Sequence, residues 1–179
     1  MAIMSENYLT VGSVIRVPYR SLLVKYYHYA VYIGDQEIIH FESQEIRKSN
    51  LKYFTKESVN KVKSQIEVMT FDEKYTKRYR SLEIVKRAKS KLGNRNYKVF
   101  KNNCEHFAIW AHCGEAFSSQ ANTTSEEYEA YAVYGLTAEQ GFKASSDFIR
   151  HISDINGKKI GMKVLKVVDI DTLKYDKYK

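Results

Sequence analysis

The chain has 179 residues, of which 44% are hydrophobic, 28% are charged and 13% are aromatic. This composition is typical of a folded globular protein and excludes a disordered chain, and the length fits one domain with a core of its own. No segment reaches the roughly 18 uninterrupted apolar residues of a membrane span, and the N-terminus lacks the pattern of a secretory signal. We therefore expect a cytoplasmic protein, either dissolved or peripheral at membranes.

The formal net charge of +8 is concentrated in one part of the chain. The stretch from Lys74 to Lys101 holds 11 Lys and Arg residues and one acid, Glu83. Such a stretch attracts an anionic membrane surface, and its alternative is a solvated face that keeps the protein soluble. Nucleic-acid binding is not favoured, because no RNA- or DNA-binding motif accompanies the charge.

Strands dominate the predictions for the first part of the chain. Residues 14–17 are predicted as a strand that stops at Pro18, and residues 26–33 as a strand rich in Tyr, Val and Ile. A tight turn at Gly34-Asp35-Gln36 then leads into a strand over residues 37–41. Residues 44–65 are weakly patterned and predict a loop or short helix, after which residues 65–71 form another strand.

Each arm of the predicted hairpin carries one histidine. His28 lies early in the incoming arm and His40 lies late in the outgoing arm. Antiparallel pairing about the turn returns His40 to the neighbourhood of His28, and strand alternation makes a shared face plausible.

Helical periodicity begins after the strands. Residues 81–92 predict an amphipathic helix with Leu82 and Leu92 on its apolar side, ended by Gly93. An extended connector over residues 94–100 leads to Asn102-Asn103, which cap a short helix that begins at Cys104. Beyond it we predict a connection over residues 118–125, helices over residues 126–134 and 137–152, and a strand over residues 162–170.

Cys104 is the candidate nucleophile. A thiol attacks only as thiolate, and its unperturbed pKa of about 8.5 leaves little of that form at neutral pH. A helix N-terminus supplies partial positive charge that favours the thiolate. His28 or His40 could take the proton of the thiol, and the other histidine could then orient the imidazole that takes it. Backbone N–H groups at the start of the same helix would face the oxyanion of an acyl-transfer intermediate.

The other cysteine and histidines have structural interpretations. Nine positions separate Cys104 from Cys113, which places them on opposite faces of one helix and predicts free thiols. His106 is turned away from Cys104 by the helix, and neither His112 nor His151 has a partner at metal-ligand spacing. A buried cysteine in an apolar helix is itself more often a packing residue than a nucleophile.

Three segments resemble the motifs of one enzyme family. They are HYAVYIGD over residues 28–35, IIHF over residues 38–41 and NNCEHF over residues 102–107. In order and residue types they resemble the paired-histidine and cysteine boxes of the lecithin:retinol acyltransferase family, which includes the HRAS-like suppressor phospholipase/acyltransferases. The resemblance covers residues 11–115 and does not extend into residues 116–179.

The resemblance implies a fold and a mechanism. The implied fold is α+β and permuted papain-like (NlpC-type), with a small antiparallel sheet packed on the helix that bears the cysteine. It implies a catalytic domain over residues 11–115, followed by a C-terminal extension over residues 116–179. Cys104 would be the nucleophile, His28 the general base and His40 the orienting residue, with no cofactor or metal. The implied reaction moves a fatty acyl group from a glycerophospholipid, through a thioester on Cys104, to water, an amine or an alcohol.

Two other functions stay open on the sequence. The nucleophile could serve a thiol hydrolase that cleaves a peptide or protein substrate, as the related NlpC-type peptidases do. The chain could also be a non-catalytic interaction module that keeps the fold.

Overall fold

The computed structural model describes residues 7–21, 24–95, 104–114 and 160–177. In these ranges the chain forms strands and helices in the following order: β1 (Tyr8–Thr10), β2 (Val14–Ser21), β3 (Val24–Gly34), β4 (Glu37–Glu42), β5 (Glu45–Asn50), α1 (Leu51–Lys56), β6 (Gln65–Thr70), α2 (Glu73–Thr76), α3 (Ser81–Lys89), α4 (Cys104–Cys113), β7 (Lys163–Asp169) and β8 (Lys174–Lys177).

Six of these strands form one antiparallel sheet in the order β5-β4-β3-β2-β6-β7, and β1 pairs separately with β8 in parallel. The helix α4 packs on β3 and β4 near the middle of the sheet. The α+β class and the mostly antiparallel sheet of the prediction are therefore confirmed.

The sheet carries a separate hydrophobic cluster on each side, which we call the α4 face and the α1 face after the helix that covers it. Alternate residues of a strand point to alternate sides of the sheet. The α4 face includes these buried residues: Val14, Tyr29, Val31, Ile39, Phe41, Ile46, Phe107, Ala108 and Ile109. The α1 face includes a second set: Ile15, Val17, Ala30, Tyr32, Ile38, Leu51 and Phe54.

The predicted hairpin between β3 and β4 is present. Asp35 and Gln36 have φ values of 51° and 60°, the left-handed conformation of a two-residue hairpin turn. The turn sets a register in which Ala30 lies opposite His40. His28 is therefore the diagonal neighbour of His40 on the same side of the sheet.

The prediction that the first strand stops at Pro18 is wrong, because β2 continues to Ser21. The carbonyl of Pro18 accepts a hydrogen bond from the N–H of Val59 at 2.9 Å, on the side of β2 away from β3. The N atom of a strand residue points to the same side as its carbonyl. The missing N–H of Pro18 therefore costs no bond between β2 and β3.

The prediction of a loop or short helix over residues 44–65 agrees with α1 but missed the strand β5. A second hairpin turn at Ser43 and Gln44, with φ values of 50° and 67°, leads into β5. The side chain of Asn50 then accepts a hydrogen bond from the N–H of Tyr53 at 2.8 Å and caps α1. This segment forms the cover of the α1 face.

The helix predicted over residues 81–92 is α3, which ends earlier, at Lys89, and continues as turns to Gly93. Leu82 and Leu92 were predicted on its buried side, and both are exposed, by 67% and 43%. The buried side is instead formed by Ile84, Val85 and Ala88. Through this side α3 contacts α4 and β3, with Ile84 in the cluster of the α4 face and Val85 in the cluster of the α1 face. Leu82 and Leu92 lie outside both clusters.

The predicted strand over residues 162–170 is β7. The predicted helices over residues 126–134 and 137–152 lie outside the described residues, as do the connection over residues 118–125, residues 96–100 of the connector and the capping residues 102–103. The boundary between residues 115 and 116 stays a prediction. In the described ranges, no helix is long and apolar enough to cross a membrane.

Candidate active site

A hydrogen-bonded histidine pair lies on the α1 face. Nε2 of His28 on β3 is 2.8 Å from Nδ1 of His40 on β4. The two residues are only 5% and 0% exposed. The sheet register thus brings together the two histidines that the sequence places on opposite arms of the hairpin.

Aromatic rings enclose this pair. The ring of Tyr19 stacks on His28 at 4.9 Å, and Phe54 of α1 lies 5.3 Å from His28 and 5.9 Å from His40. Burial lowers the pKa of His28 to about 3, with a smaller contribution from the charge of His40. Burial also lowers the pKa of His40 to about 4, assisted by the charge of Arg47. Both imidazoles are neutral at pH 7, which is the form that accepts a proton.

Polar groups of β4 and β5 hold the other side of His40. Nε2 of His40 is 2.9 Å from Oγ of Ser49 and 3.9 Å from Oε2 of Glu42. The same carboxylate oxygen accepts a hydrogen bond from Tyr53 at 3.2 Å and lies 3.7 Å from Nη1 of Arg47. Neither Ser49 nor Glu42 was predicted as a site residue. Ser49 lies on β5, which was predicted as part of a loop or short helix, so its position beside His40 could not be inferred from strand pairing.

Cys104 is the first residue of α4 and is partly buried. Its Sγ lies 3.8 Å from the carbonyl oxygen of Tyr27 on β3. Burial raises the pKa of the Cys104 thiol to about 11, although hydrogen bonds from the backbone N–H groups of Tyr29 and Glu105 oppose the rise. In this arrangement the thiol is protonated at pH 7.

The thiol and the histidine pair approach β3 from different sides. Cys104 packs against the cluster of the α4 face, whereas His28 packs against Phe54 on the α1 face. Between the described residues, no hydrogen bond joins the thiol to either imidazole, and none involves Nδ1 of His28. The structure therefore brings His28 and His40 together and places Cys104 beside the same strand segment, across its backbone.

His28, His40 and Glu42 also form a group of potential metal ligands, with donor atoms within 4.8 Å of one another. Two nitrogen ligands of one tetrahedral zinc ion are roughly 3.4 Å apart, since each Zn–N bond is about 2.0–2.1 Å. The 2.8 Å separation of the two imidazoles is a hydrogen bond instead. His40 also presents a different nitrogen to Glu42 than to His28. This donor set does not fit one ion.

The remaining histidines and the second cysteine of the described ranges lie apart from this pair. Nδ1 of His112 is 3.1 Å from the carbonyl oxygen of Gly12, and the His112 ring packs on Phe71 at 4.9 Å. Cys113 is fully buried, and both cysteines are free thiols, as predicted. His106 is half-buried, and burial lowers its pKa.

In the described part of the basic stretch, some cations pack against the protein and others are exposed to solvent. Arg87 donates a hydrogen bond to the carbonyl of Ala111 at 2.5 Å and lies over the ring of Tyr79, so it joins α3 to α4. Lys86 and Lys89 are exposed. They follow the exposed Leu82 at helical spacing, so the three form one outward stripe.

These features define an α+β protein that has the residues of a thiol–imidazole site on either side of one strand. A comparison with protein families identifies it further: the family model described as lecithin retinol acyltransferase matches residues 7–117. The chain belongs to this family, as the resemblance of its histidine and cysteine motifs predicted. A search of curated proteins gives no match. Acyltransferase and phospholipase-like activity on lipids is characteristic of the family.

Proposed function

We propose that this protein is a cysteine-dependent acyltransferase or phospholipase, with Cys104 as nucleophile, His28 as general base and His40 as the residue that orients His28. The observation that carries the proposal is the buried, neutral histidine pair. The hydrogen bond to His40 occupies Nε2 of His28, and Nδ1 of His28 has no hydrogen bond from any described residue. A neutral imidazole nitrogen can accept the proton of a thiol, but with a pKa of about 3 the buried His28 is a weak base until a thiolate lies beside it and stabilises the imidazolium.

The proposed reaction has two halves. In the first, the proton of Cys104 moves to Nδ1 of His28, and the sulfur attacks the ester carbonyl of a glycerophospholipid. The lyso-lipid alcohol leaves with that proton, and the acyl group remains on sulfur as a thioester. In the second, water, an amine or an alcohol attacks the thioester, gives its proton to His28 and restores the thiol. The backbone N–H at the start of α4 supplies a donor for the oxyanion.

Because the thiol and the imidazole are separated, we propose that this structure is the resting state of the enzyme. Cys104 lies next to Tyr27, one residue from His28, so the two groups are divided only by the backbone of β3. For proton transfer the first turn of α4 has to move relative to the part of β3 that carries His28. We propose that binding of a lipid substrate supplies the free energy for this movement.

The surface of α3 supports contact with an anionic membrane. Leu82 is 67% exposed, and the neighbouring Lys86 and Lys89 extend the same outward stripe. An apolar side chain flanked by lysines suits the interface of an anionic bilayer, where each lysine contributes about 1 kcal/mol. Because α3 packs on α4, this contact would bring lipid to the side of the sheet that carries the thiol.

The test is intact-mass spectrometry after incubation with vesicles of phosphatidylcholine and phosphatidylserine. We expect one added acyl group on the wild-type protein and on the Cys113→Ala variant, and none on Cys104→Ala. Cys113→Ala is the matched control, because it removes the other thiol of the same helix. An adduct that survives Cys104→Ala would contradict the proposal.

A non-catalytic interaction module is the second candidate, and the raised pKa of Cys104 favours it. If vesicles give no adduct and Cys104 is also inert to a small electrophile, the module is the better assignment. If Cys104 is reactive but takes no acyl group, the substrate is a peptide or protein ester, thioester or amide rather than a lipid.

A further inference from the structure

His40 is held at both of its ring nitrogens. Nδ1 faces Nε2 of His28 at 2.8 Å, and Nε2 faces Oγ of Ser49 at 2.9 Å. A neutral imidazole has one N–H donor and one acceptor nitrogen. The ring nitrogen of His40 that carries the proton therefore sets the direction of both hydrogen bonds, the one to His28 and the one to Ser49.

Two arrangements satisfy the bonds. In the first, Nε2 of His40 donates to Ser49, and Nδ1 accepts from Nε2–H of His28, so that Nδ1 of His28 keeps its lone pair. In the second, Ser49 donates to His40, Nδ1–H of His40 donates to His28, and the proton of His28 lies on Nδ1. Only the first arrangement leaves His28 able to accept a proton at its unbound nitrogen.

The carboxylate of Glu42 distinguishes the two arrangements. Its Oε2 lies 3.9 Å from Nε2 of His40. An N–H at that position is attracted to the carboxylate, whereas a lone pair is repelled, and the difference is enlarged because His40 is fully buried. Tyr53 donates a hydrogen bond to the same oxygen of Glu42 and Arg47 forms an ion pair with it, so both keep it in place. The positive charge of Arg47 also acts on His40 and offsets part of this attraction.

We propose that Ser49 and Glu42 are positioning residues, which hold the proton of His40 on Nε2 and thereby leave Nδ1 of His28 as the open acceptor. The inference rests on the proposed function for its catalytic meaning, although the proton positions can be measured without activity. Ser49 and Glu42 act through His40 and touch neither the thiol nor the acyl group.

Nitrogen NMR of the imidazoles at pH 7 tests this directly on the full chain. We expect both His28 and His40 to carry the proton on Nε2 in the wild-type protein. In Ser49→Ala and in Glu42→Gln, we expect the Nδ1–H form of His40 to appear. Protons on Nδ1 in the wild-type protein, or proton positions unchanged in both variants, would overturn the proposal.

Matched controls are available on the same strands. Glu37 on β4 forms an ion pair with Lys48 on β5 at 2.8 Å, as Glu42 does with Arg47, but it lies away from the histidines. Glu37→Gln should therefore leave the proton positions unchanged. Ser49→Thr keeps the hydroxyl and should restore the wild-type spectrum, which separates a lost hydrogen bond from a folding defect.

Activity gives a second measurement. If thioester formation occurs, Ser49→Ala should lower its rate about ten-fold at an unchanged KM, the effect of one lost hydrogen bond, and Ser49→Thr should recover it. An unchanged rate in Ser49→Ala would overturn the positioning role. Acyl transfer that persists in Cys104→Ala would instead contradict the proposed function, and the NMR result would still stand.

Discussion

The histidine pair and the thiol differ in how firmly the structure joins them. His28 and His40 belong to neighbouring strands connected by a two-residue turn, and a 2.8 Å hydrogen bond joins their rings. Cys104 begins a helix that is distant in sequence, and its sulfur contacts the backbone of β3 rather than an imidazole. Local register fixes the first arrangement, whereas packing on the α4 face determines the second.

This difference separates two tasks of the proposed site. The α1 face keeps both imidazoles neutral by removing them from water, because aromatic residues surround both histidines. The α4 face keeps the nucleophile protonated, because burial raises the pKa of Cys104 to about 11. In the proposed reaction the thiol and His28 therefore have to meet before either can react.

The largest expected effect concerns the reactivity of Cys104 toward iodoacetamide in a Cys113→Ala background. Without lipid at pH 7, we expect slow alkylation that His28→Gln does not change, because the thiol and the imidazole are separated. With anionic vesicles, we expect faster alkylation that His28→Gln lowers about 100-fold, the contribution of a general base. The measurement is the alkylation rate by intact mass.

His106→Gln is the matched control for that experiment, since His106 lies two residues beyond Cys104 and is also partly buried. It should leave both rates unchanged. Alkylation that depends on His28 in the absence of vesicles would show that the thiol and the imidazole already meet in the free protein. The proposed separation of Cys104 from His28 by the backbone of β3 would then be wrong.

A smaller effect concerns the side of the sheet that meets lipid. Neutralising two cations with Lys86→Gln and Lys89→Gln should weaken binding to phosphatidylserine vesicles about thirty-fold, given about 1 kcal/mol for each lysine. Vesicle co-sedimentation at fixed salt measures this. The control, Lys61→Gln with Lys63→Gln, removes two exposed lysines from the loop before β6. Equal losses in both pairs would point to a non-specific effect of net charge.

The smallest expected effect is on stability and concerns the α1 face. The pKa of His40 is lowered to about 4 from an unfolded value of about 6.5, so below pH 6.5 the unfolded chain binds a proton that the folded chain does not. The free energy of unfolding should fall as the pH is lowered from 6.5 to 4.5. His40 should contribute about 1.4 kcal/mol per pH unit to this slope.

Urea unfolding at several pH values measures that slope in the wild-type protein and in His40→Asn. The variant should lose stability less steeply with falling pH, whatever its stability at pH 7. Equal slopes would show that His40 is not held neutral by burial, and would weaken the distinction between the two faces.

Much of the hairpin was predictable because its signals are local. The Gly34-Asp35-Gln36 turn fixed the pairing of β3 with β4, and strand alternation allowed the histidines to share a face. Patterns failed where the neighbours decided the outcome. Pro18 continues β2 because its N atom faces away from β3, and Leu82 is exposed because it lies outside the two clusters into which α3 packs.

By itself, the sequence determined the α+β class, the family and the proximity of His28 to His40, because hairpin register and motif order are properties of short segments. Tertiary structure alone decided that Ser49 and Glu42 border His40, since β5 gives little sequence signal. It also decided that Cys104 and His28 occupy opposite sides of β3. The side on which a helix packs depends on the burial of the whole α4 face, which no local pattern encodes.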